Sequence, residues 1–305
     1  MLRSLFSGIS GLRVNQTMLD VTGNNIANAN TVGFKASDTI FSDTLSQMLT
    51  AASAPSANNA RGGTNPIQIG LGTQLAAVNT DFTQGADETT GVSTDMMING
   101  DGFFVVSDGQ SDYLTRAGAF TFDDQGNLVD TDGKYVQGYP VSGYDATGKP
   151  EYQGSATPNS PSGTATMGNL NLNTLAAPLT AAHGALSTYQ IGSDGTLTGT
   201  FADGSQFALG QIAIGNVQNP DGLDKAGDTE FLQSANSGQI QYAAAGSTTG
   251  VGQNGTITTG ALEMSNVDLS AEFTNLIIAQ RGFEASSKVI TTSDTILSDL
   301  VNMIH

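Results

Sequence analysis

From Leu269 onward the apolar positions fall seven apart: Leu269, Leu276, Phe283, Ile290 and Leu297. Phe273 and Val301 add to a second seam four residues further on, which Gln280, Ser287 and Asp294 interrupt. A run of about 37 residues on that repeat predicts a helix of about 55 Å. Ser265, with Asp268 three residues on, has the form of a capping box that opens it. The N-terminal segment answers this pattern. Leu2, Leu5, Ile9, Leu12, Gln16, Leu19, Gly23 and Ile26 alternate spacings of three and four. Both seams are narrower than the stripe of a helix that packs on a globular core. They predict terminal helices that pair as a coiled coil.

The N-terminal stripe ends in an unusual stretch, "DVTGNNIANANTVGFK", Asp20 to Lys35. Asparagine and threonine are mediocre helix formers, because their side chains compete for backbone hydrogen bonds. The stretch therefore predicts a helix end, with Gly33 taking a left-handed conformation as the chain turns out.

Between the ends the helical period disappears. Residues 50–65 are small and polar, and 31–70 reads as a linker or extended segment. Residues 71–144 and 190–267 alternate β-branched and aromatic residues with Asp-Gly turns, which predicts antiparallel hairpins. Residues 145–189, rich in Pro, Ser, Thr and Ala, read as a small loop-rich insertion, with "GSATPNSPSGTAT" the least ordered part. The fold class is α+β and multidomain. Terminal helices 1–30 and 268–305 come together, and mainly antiparallel β structure is nested between them in the chain.

Charge refines this picture. The 305 residues carry 10 Lys+Arg and 28 Asp+Glu, a net charge of −18. Residues 1–35 are net +2, residues 268–305 net −3, and the middle net −17. The nearly neutral ends can meet each other or another copy while the middle stays in water. Nucleic acid is excluded as a partner, because phosphate binding needs clustered Lys and Arg. No run of about 18 apolar residues offers a membrane span. The start of the chain lacks the h-region and cleavage site of a cleavable signal peptide.

Catalytic chemistry finds little support. Cysteine is absent, and His183 and His305 are the only histidines. Aligning Gly126, Gly133, Gly195 or Gly204 with the sixth position of a calcium-binding EF-hand loop puts Thr121, Leu128, Gln190 or Gly199 at its first, and all fail. The Gly-Lys pairs at 133–134 and 148–149 precede Tyr and Pro, so neither is a phosphate-binding loop. Asp87–Glu88 and Asp123–Asp124 are adjacent carboxylates, which in a strand point to opposite faces. No catalytic, cofactor-binding or metal-binding residue is assigned.

Both ends then become recognisable. "LRSLFSGISGLRVNQTMLDVTGNNIANANTVGFKASDTIFSDTL" resembles the N-terminal signature of the bacterial flagellar rod and hook family. "LEMSNVDLSAEFTNLIIAQRGFEASSKVITTSDTILSDLVNM" resembles its C-terminal signature, and "GGTNPIQIGLG", "INGDGFFVV" and "SANSGQ" are similar to its interior. The resemblance covers nearly all of the chain outside about 145–190. Within the family the hook subunits fit best. The insertion is too short for the full outer domain of the larger hook proteins, so the distal rod subunit is the alternative.

The resemblance implies a non-enzymatic structural subunit of the flagellum. It would polymerise with itself into a helical, bendable tube that encloses the export channel and carries torque from rod to filament. Partners would be rod, hook-cap and hook–filament junction proteins. Export would use the flagellar type III apparatus, without a cleaved signal peptide. Assembly residues would be the seam positions Leu2, Leu5, Ile9, Leu12, Leu19, Ile26, Leu269, Phe273, Leu276, Phe283, Ile290, Leu297 and Val301. Asn24, Asn25 and Asn28, flanking Ile26, would join them by hydrogen-bonding to neighbouring subunits and fixing register.

Overall fold

The structure, a computed structural model, describes residues 2–54, 62–144, 150–152, 166–249 and 252–304. The chain forms two compact units. The first comprises Met1–Asn28, Ala36–Asp81 and Val267–His305; the second comprises Ala29–Lys35 and Phe82–Asn266.

The first unit holds the two terminal helices, Leu2–Ala27 and Leu269–Ile304. The cap of the long helix is Asp268 rather than a box begun at Ser265. Its Oδ1 accepts from the amides of Ser270 at 2.8 Å and Ala271 at 3.3 Å. An aspartate there satisfies orphan N–H groups and opposes the positive helix end, so it displaces the upstream serine.

The segment 31–70, read as a linker, contains paired strands. Strand Ser37–Asp43 pairs antiparallel with Thr73–Thr80, and Ser46–Thr50 pairs antiparallel with Ile67–Gly70. A bridge between Ser53 and Thr64 continues the pairing toward the tip. The result is a long two-stranded ribbon that belongs with the helices. The central residues of "TAASAPSANNARGGTN", 55–61, read as a loop, lie outside the described residues.

The second unit is built on antiparallel strands. Its main sheet runs Leu186–Ile191, Thr196–Phe201, Gln206–Asn216, Tyr135–Tyr144, Phe103–Ser107, Asp112–Thr115, Glu230–Leu232, Asp224–Gly227. The hairpin glycines of the Asp-Gly pairs, Gly133, Gly195 and Gly204, have φ of 80°, 77° and 82°, as such turns require. The run "FFVV" shows why a central strand here is continuously apolar. Phe104 and Val106 enter one core cluster with Phe120, Leu197 and Ile212, while Phe103 and Val105 enter another with Leu114 and Phe231. Successive side chains point to opposite faces, and both faces of this strand are covered.

Part of the predicted loop-rich insertion is ordered. Leu172–His183 is a helix, with the Asn171 side chain accepting from the Thr174 amide and Gly184 closing the other end. Leu172, Leu175, Ala176 and Leu179 lie on one stripe and pack on the main core. Pro178 sits inside the helix, which is what made the segment read as a loop. Residues 154–165, the stretch expected to be least ordered, lie outside the described residues.

One buried carboxylate joins the segments by which the chain enters and leaves this unit. Glu263 Oε1 accepts from Lys35 Nζ at 2.6 Å and the Gly85 amide at 3.0 Å, and its Oε2 accepts from Arg116 Nη1 at 3.2 Å. Lys35 also donates to the Thr83 carbonyl, and Arg116 to the Gly100 carbonyl. The Gly33 amide donates to the Glu263 carbonyl at 2.8 Å. Gly33 has φ of +69°, and a Cβ there would lie 2.4 Å from the Ala117 nitrogen, so both conformation and space demand glycine. All three charged side chains are at most 5% exposed. Removing one partner strands the other charges in a low-dielectric site. Glu263→Ala is expected to destabilise the second unit by about 3–5 kcal/mol. The shift of the denaturant midpoint, followed by near-ultraviolet tyrosine signal, measures it.

Candidate assembly surface on the terminal helices and ribbon

The two terminal helices pack antiparallel, and the contacting residues are small or polar. A Cβ on Gly8 would lie 3.1 Å from Ile290 Cγ1, and one on Gly11 would lie 2.9 Å from Ser286 Oγ. From the other helix, a Cβ on Gly282 would lie 2.4 Å from Asn15 Oδ1. At the far end Asn25 Nδ2 donates to Glu272 Oε1 at 2.8 Å. On the N-terminal helix this row runs Gly8, Gly11, Asn15, Met18, Thr22, Asn25, with spacings of three and four. On the C-terminal helix the buried row is Glu272, Ala279 and Ser293, with the half-buried Ser286 between them, all seven apart.

The second row of the long helix therefore lies three residues after the Leu269 repeat, where four was predicted. Small side chains let the backbones approach closely, so the row of Glu, Ala, Ser and Ser, invisible to a search for apolar residues, occupies the contact. A hydrophobicity pattern finds where apolar residues are. It does not find which face a partner helix chooses when glycine is available on both sides.

The predicted assembly residues consequently flank the contact. Leu5, Ile9, Leu12, Leu19, Ile26, Leu276, Ile290 and Leu297 are half-buried. Leu269, Phe273, Phe283 and Val301 are exposed, Phe273 at 53%. The side chain of Leu2 lies outside the described residues. Ile277, Ile278, Ile296 and Leu300, which the seven-residue repeat passes over, are also exposed.

The asparagines separate by role. Asn25 is buried, and its amide is used within the subunit. Nδ2 donates to the Ser37 carbonyl at 2.9 Å as well as to Glu272, and Oδ1 accepts from the Ser37 amide at 3.1 Å. Its amide thus pairs with Ser37 as a neighbouring strand would, and no donor remains for a neighbouring subunit. Asn24 is exposed, and Asn28 Nδ2 donates back to the Asn24 carbonyl and Oδ1.

Sequence reasoning missed the ribbon as a functional surface. Leu45 is 84% exposed, and Ile40, Phe41, Met48, Leu49 and Ile67 are exposed beside it. The ladder register shifts between Ile40 and Phe41 and between Met48 and Thr50, so strict alternation of faces does not hold there, and these residues form an exposed apolar patch along the ribbon. The available signal was the alternation in "SDTIFSD" and "NPIQIG", overridden by the Gly- and Asn-rich run between them. The ribbon's base meets the N-terminal helix. A Cβ on Gly72 would lie 2.2 Å from Ser10 Oγ, and the Thr73 amide donates to Ser10 Oγ at 3.3 Å. A groove of about 500 Å³ runs alongside, lined by Phe6, Ile9, Arg13, Val14, Gln74 and Leu75 among others. No helix of the described residues is long and apolar enough to cross a membrane.

Comparison with known proteins places these features. The family described as flagella basal body rod protein matches residues 5–35. The flagellar hook protein FlgE/F/G D1 domain matches 97–199, and the flagellar basal body rod FlgEFG protein C-terminal domain matches 258–303. The chain is 43% identical over 303 residues to the flagellar basal-body rod protein FlgG of Bacillus subtilis, covering 99% of each. It is 30% identical over 446 aligned positions to the flagellar hook protein FlgE of Borreliella burgdorferi, covering 99% of this chain and 100% of that one. Against the hook protein FlgE of Escherichia coli it is 28% identical over 418 positions, covering 97% and 98%. Terminal helices with outward apolar faces, a nested antiparallel sheet unit and end-to-end likeness to both kinds of subunit lead to one assignment: the chain belongs to the flagellar hook and basal-body rod family of axial structural proteins.

Proposed function

We propose that this chain is a hook-type subunit of the flagellar axial tube, polymerising with itself through its terminal helices and ribbon. The observation that carries this reading is the exposed apolar patch of the ribbon. An isolated two-stranded ribbon is marginal in water, and Gly72 and Thr73 at its base are what meet Ser10 of the N-terminal helix. Neighbouring copies related by a helical operator can cover the exposed patch, and a heterologous contact that does not close generates a filament.

The terminal helices would pair as a coiled coil lining the channel, and the second unit would form the outer wall. Rod, hook-cap and junction proteins and the type III export apparatus would be the partners, with export to the cell exterior and no cleaved leader. The hook reading rests on the N-terminal signature and "RGGTNPIQIGLG". A hook protein of Helicobacter pylori shares 46% identity over 151 residues, which are 49% of this chain and 21% of that one. The distal rod is a second reading, favoured by length. The rod protein FlgG aligns over 303 residues, whereas the hook proteins that align with nearly the whole chain need 418 to 467 positions to do so.

The glycine- and serine-rich seam removes little apolar area from water, against a backbone ordering cost of about 1–2 kcal/mol per residue. The terminal helices would therefore gain most of their stability on assembly, which keeps the monomer from premature polymerisation. Amide exchange on the monomer is expected to be fast across 2–27 and 269–304 and slow in the sheet of the second unit. Slow exchange throughout both helices would sink this coupling of order to assembly.

Electron microscopy of the concentrated, purified protein tests the function. Curved tubes are expected from a hook subunit, straight rigid ones would favour the rod, and no polymer at all would overturn both. Met48→Ser with Leu49→Ser is expected to abolish tubes while leaving the melting of the second unit unchanged.

A further inference from the structure

The second unit contains a carboxylate cluster that a single lysine only partly neutralises. Asp130, Asp132 and Glu230 each place a carboxylate oxygen within 4.8 Å of the other two. Asp130 and Asp132 lie in the turn between Leu128–Val129 and Tyr135–Tyr144, and Glu230 begins the strand Glu230–Leu232. Two features hold the turn. The Asp130 amide donates to the Lys134 carbonyl, and the Gly133 amide donates to the Asp130 carbonyl, both at 2.9 Å. Before Glu230, Asp228 and Thr229 have φ of 48° and 61°, unusual for residues other than glycine, and the Thr115 hydroxyl donates to the Thr229 carbonyl.

Three carboxylates in close contact repel unless a cation lies among them. Lys134 supplies part of the answer, donating to Glu230 Oε2 with its ammonium 4.5 Å from the Tyr113 ring centre. Three negative charges and one positive leave a local charge of −2. The other oxygen, Glu230 Oε1, is buried and without a hydrogen-bond partner, on a residue that is 2% exposed. A buried carboxylate oxygen left unpaired is costly, so its survival points to a ligand.

We propose that Asp130, Asp132 and Glu230 form a calcium site. Three oxygens at the outer spacing of 4.8 Å would lie about 2.8 Å from a common centre, and closer ones nearer. Small adjustments bring that to the 2.3–2.6 Å typical of calcium, whose coordination is flexible; magnesium demands a tighter octahedron near 2.0–2.1 Å. A divalent ion would neutralise the residual −2. Water completes the shell on the exposed side, where Asp132 lies. The ion would fasten the 130–134 turn to the strand starting at Glu230. A search for contiguous loops does not find this site, because its ligands come from two places far apart in the chain.

Terbium luminescence on the full-length monomer tests it, since the chain has no tryptophan and Tyr113 beside Lys134 is a ready sensitiser. The expected result is saturable, tyrosine-sensitised emission displaced by calcium with a dissociation constant of about 10⁻⁴–10⁻³ M, the range of extracellular calcium modules. Asp132→Asn, at an exposed position, is expected to keep the circular dichroism spectrum and weaken calcium binding at least ~10-fold, one charged ligand among three being lost. Calcium should raise the melting temperature of the second unit in the wild type and not in that variant. Absence of saturable binding, or a variant that binds calcium as the wild type does, would overturn the site.

Discussion

A single carboxylate, that of Glu263, holds together the chain's entry into and exit from the second unit. Nested architecture imposes this requirement: a unit inserted within another must return its chain close to where it received it. Hydrophobic packing alone does not specify such a point, because it is non-directional. An ion cluster with one acceptor and two cationic donors does, since only one arrangement satisfies all three charges. The desolvation that makes the cluster costly is the same property that makes misplacement more costly still.

The first unit contains a counterpart in Asn25 and Glu272. There an amide rather than a cation meets the carboxylate, and the amide also pairs with the Ser37 backbone. Asn25, Gly33 and Lys35 all come from the asparagine-rich stretch that makes such a poor helix. Its composition is explained by what its residues hold in each unit. Helix propensity was the wrong criterion for it, because these side chains are selected for the partner each must reach.

Much of the fold was legible in the sequence. The terminal helices, the antiparallel strands, the Asp-Gly turns and the left-handed Gly33 follow from periodicity and backbone sterics. The helix at 172–183 was hidden by Pro178, and the ribbon by a low-complexity centre whose flanks pair. The helix contact was displaced from the apolar repeat to Gly8, Gly11, Ala279, Gly282 and Ser286, because apolar periodicity cannot register a contact made by the absence of side chains. The Asp130 cluster was out of reach for another reason: strand pairing brings Glu230 to it, and pairing across a hundred residues leaves no local signal.

The ribbon's exposed strands have a consequence for the free subunit. Unpaired backbone edges flanked by Met48, Leu49 and Ile67 are the kind of surface that recruits identical segments from other chains. Late ordering of the terminal helices leaves this edge untouched, so concentration of the free subunit favours edge-to-edge association of ribbons.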